Sequence, residues 1–222
     1  MKKIVIFMCA LAAAVSASHA KDAFVPQSQI MKAEKPGKSK QWPSSSRLFE
    51  KDLSGGKTSS GAWAVEGGEL KSKSDKPLYI SGLKGQYSVC FEFQASEDAE
   101  GSFFVRAPKG DVSKAVRIKL CCANGKPVDS IGSINGALAP REKFEETKDG
   151  RWSRVWVFVE GDNLRVSPGD KICRHYADRR FLTYTFSEIA EKGGSPVAAE
   201  GEAGFVCTKG EIKVKNVWAT QL

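Results

Sequence analysis

From Leu48 to the end of the chain, apolar residues recur at every second position in short runs that glycine interrupts. That period belongs to antiparallel strands with one buried face. Tyr87, Val89, Phe91 and Phe93 fall on one side of such a run, and Ser88, Cys90, Glu92 and Gln94 on the other. Val116, Ile118 and Leu120 alternate with Arg117 and Lys119, and Val155, Val157 and Val159 with Arg154, Trp156 and Phe158; Ile212, Val214 and Trp218 continue the pattern near the end. The rule predicts about eight to twelve strands, too many for one open layer, so two stacked sheets are expected. The 222 residues suit one sandwich domain, because such folds reach about 200 to 250 residues as single units. Helix is scarce. Its best candidate runs from Phe186 to Lys192, with Thr185 and Glu188 at capping-box spacing and Gly193-Gly194 as the stop; it reads as a plug over a sheet edge.

The N-terminus reads differently. Residues 1–20 have Lys2 and Lys3 ahead of an apolar stretch from Ile4 to Val15, then small residues leading to Ser18-His19-Ala20. This is the pattern of a secretory signal, with cleavage after Ala20 or, alternatively, after Ala17. The apolar run is too short to span a bilayer and no later stretch approaches about 20 apolar residues, so an exported, periplasmic or extracellular protein without a transmembrane segment is expected. Residues 21–46 carry Lys21, Lys32, Lys35, Lys38 and Lys40 against Asp22 and Glu34 and lack an apolar period, which reads as a flexible basic linker. The folded domain is then 47–222.

The formal charge of +8 falls to +6 once Lys2 and Lys3 leave with the signal. Without an arginine-rich stripe or an RNA-binding aromatic motif, nucleic acid is not the expected partner. Five cysteines remain after the leader, Cys90, Cys121, Cys122, Cys173 and Cys207. The odd count leaves at least one thiol free or paired between chains. No C-x-x-C spacing exists, Cys173 and His175 supply two ligands at most, and no D-x-D-x-D-G loop occurs, so neither zinc nor calcium is assigned.

The catalytic inventory is short. After the leader the chain has one histidine, His175, and no G-x-S-x-G nucleophile motif accompanies it. With no P-loop and no G-x-G-x-x-G turn, no cofactor is expected. Carboxylate chemistry remains, and glycoside hydrolysis needs two carboxyl groups about 5 to 9.5 Å apart. Most acids lie beside turns, as in Asp98-Ala99-Glu100-Gly101, and read as solvated. Glu92 is the exception, a carboxylate within an aromatic strand, for which an edge-facing or ion-paired role is expected.

Seven segments in order resemble the 3-keto-disaccharide hydrolase-like family, long catalogued as a domain of unknown function. Leu48-Phe49-Glu50-Lys51-Asp52-Leu53-Ser54-Gly55 and Trp63-Ala64-Val65-Glu66-Gly67-Gly68-Glu69-Leu70 are similar to its LFNGKDLSGW and W-x-V-x-x-G-x-L. Gly101-Ser102-Phe103-Phe104-Val105-Arg106 resembles its NSGIFFR strand, and Ile131-Gly132-Ser133-Ile134-Asn135-Gly136 its TGAIYG. Gly150-Arg151-Trp152 and the segment from Gly204, with Asn216-Val217, are similar to the closing motifs. The resemblance implies an all-β, concanavalin-like jelly roll whose concave face holds sugars in exported proteins that act on glycosides. It also exposes departures. The family's Y-E-x-Q-I-x-D strand falls on Val116-Arg117-Ile118-Lys119-Leu120-Cys121-Cys122, so glutamate has become Arg117, glutamine Lys119 and aspartate Cys122. A guanidinium cannot serve as general acid or base near neutral pH.

Arg106, Arg117 and Lys119 are therefore expected on one face of neighbouring strands, and with Asn135 they form the candidate carbohydrate-binding set. Three fixed cations would favour anionic sugars, uronates or sulfated ones. The competing reading is a register one residue off, or ordinary solvated side chains paired with Glu92 or Asp129. Three functions are open to such a chain: a carbohydrate-binding module with weak or no hydrolysis; a glycoside hydrolase whose carboxylate comes from Asp129, Glu142 or Glu145; and an adhesive module using exposed Trp42 and Trp156.

Overall fold

The computed structural model describes residues 46–108, 111–120, 131–140, 152–169 and 181–222. The expected signal, nearly all of the linker, Trp42, Cys121, Cys122, Asp129, Glu142, Glu145, Cys173 and His175 lie outside these residues.

Thirteen described strands form two antiparallel sheets. The larger contains β1 (Ser46–Leu48), β3 (Trp63–Glu66), β4 (Glu69–Ser72), β6 (Tyr87–Ala95), β9 (Ser153–Glu160), β10 (Asn163–Gly169), β11 (Leu182–Thr185) and β13 (Ile212–Gln221). Its order is β11-β10-β9-β6-β13-β4-β3, with β1 also on β13. The smaller contains β2 (Gly56–Thr58), β5 (Leu78–Ile80), β7 (Glu100–Ala107), β8 (Val116–Lys119) and β12 (Glu202–Lys209), in the order β2-β5-β12-β7-β8. The chain crosses between layers repeatedly, as at β5 to β6, β6 to β7, β8 to β9, β11 to β12 and β12 to β13, in the manner of a jelly-roll sandwich.

Alternation sorts the side chains into three layers of packing. Val89, Phe91 and Phe93 of β6 meet Phe103 and Val105 of β7 and Phe205 of β12 in the central core. Phe91, Phe103 and Phe205 form a closed triangle, with ring centroids 4.9 to 5.2 Å apart and two of the three contacts edge-to-face. Such pairs add about 0.5–1.5 kcal/mol each beyond the area they bury, and here they join the two sheets. The outward faces carry smaller apolar clusters. Cys90, Trp156, Phe158 and Phe181, with Trp218 against them, cover part of the larger sheet. Phe104, Ala107, Ala115 and Val206, with Tyr79 and Val112 against them, cover part of the smaller.

One phase of the sequence pattern is corrected. Trp218 does not face the core with Ile212 and Val214, because β13 gains a residue against β6 between Lys215 and Trp218. Asn216 takes the left-handed conformation there (φ 50°), so Val217 and Ala219 turn inward and Trp218 outward. The helix α1 (Phe186–Gly193) matches its reading closely. Thr185 caps it by accepting from the Glu188 N–H at 3.0 Å, Gly194 ends it at φ 65°, and Phe186 and Ile189 are buried. No helix among the described residues is long and apolar enough to cross a membrane.

Candidate functional site

The outward face of the smaller sheet holds a recess of about 180 Å³, built from β7, β8, β12 and the loop at 131–138. In β8, Val116 and Ile118 enter the core, which leaves Arg117 and Lys119 on the outward side. Register with β7 sets Ser102 opposite Lys119 and Phe104 opposite Arg117. Across β7, Ser102 pairs with Val206 and Phe104 with Gly204 of β12. A row of Lys119, Ser102 and Val206 thus lies beside a row of Arg117, Phe104 and Gly204. Glu100 and Thr208 complete the rim at the far end, and the Thr208 hydroxyl donates to the Glu100 carbonyl at 3.3 Å.

Gly204 has no side chain for a steric reason. A Cβ there would stand 1.9 Å from the Leu78 carbonyl oxygen and 2.9 Å from the Phe104 ring. The ring lies in the cluster beside the recess only because that space is open.

The open edge of β8 is closed by the loop acting as a short extra strand. Lys119 N–H donates to the Ser133 carbonyl and Gly132 N–H to the Lys119 carbonyl, both at 2.9 Å. Asn135 N–H donates to the Arg117 carbonyl at 2.9 Å, and the Asn135 Oδ1 accepts from the Arg117 N–H at 2.7 Å. Asn135 is left-handed (φ 52°), which asparagine tolerates better than most residues. Its side-chain oxygen is therefore used to anchor Arg117, and its amide NH₂ remains as the group to offer a ligand.

Arg117, Lys119, Asn135 and Gly136 thus line one recess with Glu100, Ser102, Val206 and Thr208. Arg106 is not among them, and its expected position is corrected. A bulge in β7 between Phe104 and Ala107 places Arg106 at φ 53°, out of phase with Ser102 and Phe104. Its guanidinium reaches across to the larger layer, donates to the Gly161 carbonyl and stacks on Phe186, 3.4 Å from the ring centroid. Burial lowers its pKa from the ordinary value. Gly201 makes room for the bulge, since a Cβ there would come within 2.4 Å of the Ala107 carbonyl oxygen.

Two further expectations are decided by position. Glu92 is ion-paired, as expected, with Arg154 at 2.7 Å and accepts from the Asn216 amide at 3.1 Å. That network lies on the outward face of the larger sheet, so Glu92 is no partner of Arg117. Trp156 is 3% exposed beneath Phe158 and Phe181 and is not the exposed aromatic that an adhesive role needs.

Sequence reasoning missed Glu100, which it treated as a loop acid. The structure makes it the first residue of β7, and counting back in twos from Phe104 through Ser102 is the signal that reaches it. It is the one carboxylate among the described residues lining the recess. The recess falls below the ~300 Å³ at which small-molecule pockets begin, so it suits one ring or one charged substituent, with the rest of a chain lying outside. Among the described residues, no group of three or more His, Cys, Asp or Glu side chains is placed to hold a metal ion.

The fold belongs to the jelly-roll sandwiches seen in lectins and glycosidases. A glycosyl hydrolase-like protein from Parabacteroides distasonis superposes with a TM-score of 0.64 at 12% identity, over 80% of this chain and 94% of that one. A second from the same organism gives 0.60 at 16% identity, over 81% and 100%. The exoplasmic/lumenal domain of VIP36, in its Ca²⁺- and Man2-bound form, gives 0.52 at 9% identity, over 80% and 87%. No family model matches the sequence, and no curated protein matches it. Likeness at these identities defines the fold alone.

Proposed function

We propose that this chain is an exported carbohydrate-recognition protein of the 3-keto-disaccharide hydrolase-like type that holds an anionic glycan at the recess of the smaller sheet, with little or no hydrolysis. The observation that carries the proposal is the pair Arg117 and Lys119, side by side on the outward face where the resembling family has glutamate and glutamine. Arg117 has no carboxylate partner among the described residues, so its guanidinium is available for a charge-assisted, bidentate bond to a sugar acid. Asn135 holds its backbone and adds an amide donor. The likeness to glycosyl hydrolase-like proteins and to a mannose-binding domain supports a saccharide as the occupant.

The donor set of the described lining supports retention without hydrolysis. Cleavage needs two carboxyl groups about 5 to 9.5 Å apart, and the described lining supplies Glu100 alone. The test is binding of the chain to acidic and neutral glycans at low and high salt. Acidic glycans should bind more tightly, weaken as salt rises, and lose about tenfold or more in the Arg117→Gln/Lys119→Gln double variant. Binding confined to neutral sugars and indifferent to salt would remove the proposal. Release of sugar from a 3-keto-glycoside, abolished by Glu100→Gln, would replace it with the hydrolase reading.

A further inference from the structure

The row that carries Arg117 continues beyond the recess. Strand register aligns Arg117 on β8, Phe104 on β7, Gly204 on β12, Tyr79 on β5 and Lys57 on β2, all on the outward face of the smaller sheet. Tyr79 packs against the apolar cluster that contains Val206, a lining residue of the recess. It meets Phe104 across Gly204, with ring centroids 5.4 Å apart and planes at 74°. An edge-to-face contact leaves at least one face of Tyr79 clear of Phe104. Among the described residues three aromatic side chains are only partly buried, Tyr79, Trp152 and Trp218. Lys215 lies over the Trp152 ring at 3.8 Å and Arg47 over the Trp218 ring at 5.6 Å. Tyr79 has no such cover and no hydrogen-bond partner for its hydroxyl among the described residues. An open aromatic ring beside a polar recess suits a sugar, whose C–H groups carry the positive character that the negative ring face attracts.

We infer that Tyr79 is a second sugar subsite and that the occupant is a linear acidic oligosaccharide crossing the strands, its acidic unit at Arg117 and a further ring stacked on Tyr79. This rests on the anionic-glycan reading and adds where the part of the chain outside the recess lies. Arg117 is the recess cation set apart from Glu100, since its register partner Phe104 stands four residues further along β7. Arg117 and Tyr79 are three strand spacings apart, about 14 Å. One spacing, about 4.8 Å, is close to the advance per unit of an extended sugar chain, so the occupant has about four units. The unit on Tyr79 is uncharged. Burial, and after it the carboxylates of Glu202 and Asp111, raise the Tyr79 phenol above its ordinary pKa, so two acids face that ring. They accept from sugar hydroxyls and disfavour a second sugar acid there. On β12 Glu202 precedes Gly204 and Val206 follows it, so that acid flanks Tyr79 on the side away from the recess.

The test is calorimetry on the full chain at low salt with two probes, the disaccharide and the tetrasaccharide of alternating glucuronate and N-acetylglucosamine. The native chain is expected to bind the tetrasaccharide about 3- to 10-fold more tightly than the disaccharide. Tyr79→Leu, which keeps an apolar side chain against Phe104, should abolish that difference by weakening the tetrasaccharide alone, and Tyr79→Phe should restore it. On the native chain the tetrasaccharide, and not the disaccharide, should slow nitration of Tyr79 as followed by peptide mass mapping; this measurement stands even where Tyr79→Leu does not fold. Equal affinity for the two lengths, no shielding of Tyr79, or equal weakening of both probes by Tyr79→Leu overturns the subsite and leaves the recess as an anionic-glycan site. Binding of neither probe, or binding of both by Arg117→Gln as by the native chain, removes the recess reading and this inference with it.

Discussion

Single residues in this protein act through the space and the partners that the sheet assigns them. Gly204 shows this most directly, because its missing side chain lets Phe104 lie against β12 one row from Lys119. Gly204→Ala should cost about 1–3 kcal/mol in denaturant unfolding, since the obstruction is a backbone carbonyl that cannot rotate away. The same change should weaken acidic-glycan binding, as Phe104 is the register partner of Arg117. Tyr87 is a contrasting case. It is 1% exposed, its hydroxyl has no hydrogen-bond partner, and burial pushes its pKa well above the ordinary 10.0, against a smaller lowering influence from Arg106. The folded state therefore favours the protonated phenol. That contribution is fully present below pH 10 and is lost as pH rises beyond it. The denaturation midpoint should fall in this alkaline range, and Tyr87→Phe should flatten the fall while costing little at pH 7. A native alkaline profile that Tyr87→Phe leaves unchanged would show that another group titrates. Cys207 acts in the same direction from a lower start, its thiol raised above 9.0 mainly by burial.

At the scale of elements, the local signals that were strongest in the sequence are the ones that hold. The Thr185 cap, the Glu188 three residues on and the left-handed Gly194 all stand where the helix needs them. Thr185→Ala should therefore cost about 1 kcal/mol, read as a lower melting temperature. Because Phe186 at the start of α1 is the surface on which Arg106 stacks, fraying of that first turn should also loosen the β7 bulge. Hydrogen exchange would show this as faster exchange at residues 105–107 in the variant. The strands behave alike where alternation is unbroken, as in β6 and β8. They depart from the sequence pattern at register shifts, two of them marked by a non-glycine residue in the left-handed region, Arg106 in β7 and Asn216 in β13, and a third in β12 between Cys207 and Lys209. In β7 and β13 one extra residue reverses the in-and-out phase of the side chains beyond it.

For the molecule as a whole, the jelly-roll crossings bring into one recess residues far apart in the chain, from Glu100 through Asn135 to Thr208. The two outward faces then take different characters. The larger sheet pairs its charges internally, Glu92 with Arg154, Arg165 with Glu160 and Lys71 with Glu66, and covers its aromatics. The smaller sheet leaves Arg117 and Glu100 without such partners among the described residues. In pairs like Glu92–Arg154 each charge is already met by its partner, which leaves less to offer a ligand. This contrast supports the proposed recognition site on the smaller sheet, and under that proposal the Arg117→Gln/Lys119→Gln variant is expected to lose binding while keeping its fold.

The period-two pattern, the glycine stops and the helix cap were legible from the chain alone, because each depends on neighbours within a few positions. So was the outward setting of Arg117 and Lys119, which needs only an unbroken alternation across Val116, Ile118 and Leu120. The diversion of Arg106 to Phe186, the outward turn of Trp218, the burial of Trp156 and the arrival of Glu100 beside two cations depend on register and on layers that meet across long stretches of sequence. A bulge of one residue changes which face a side chain joins, and only the pairing of strands in three dimensions decides where that residue is inserted.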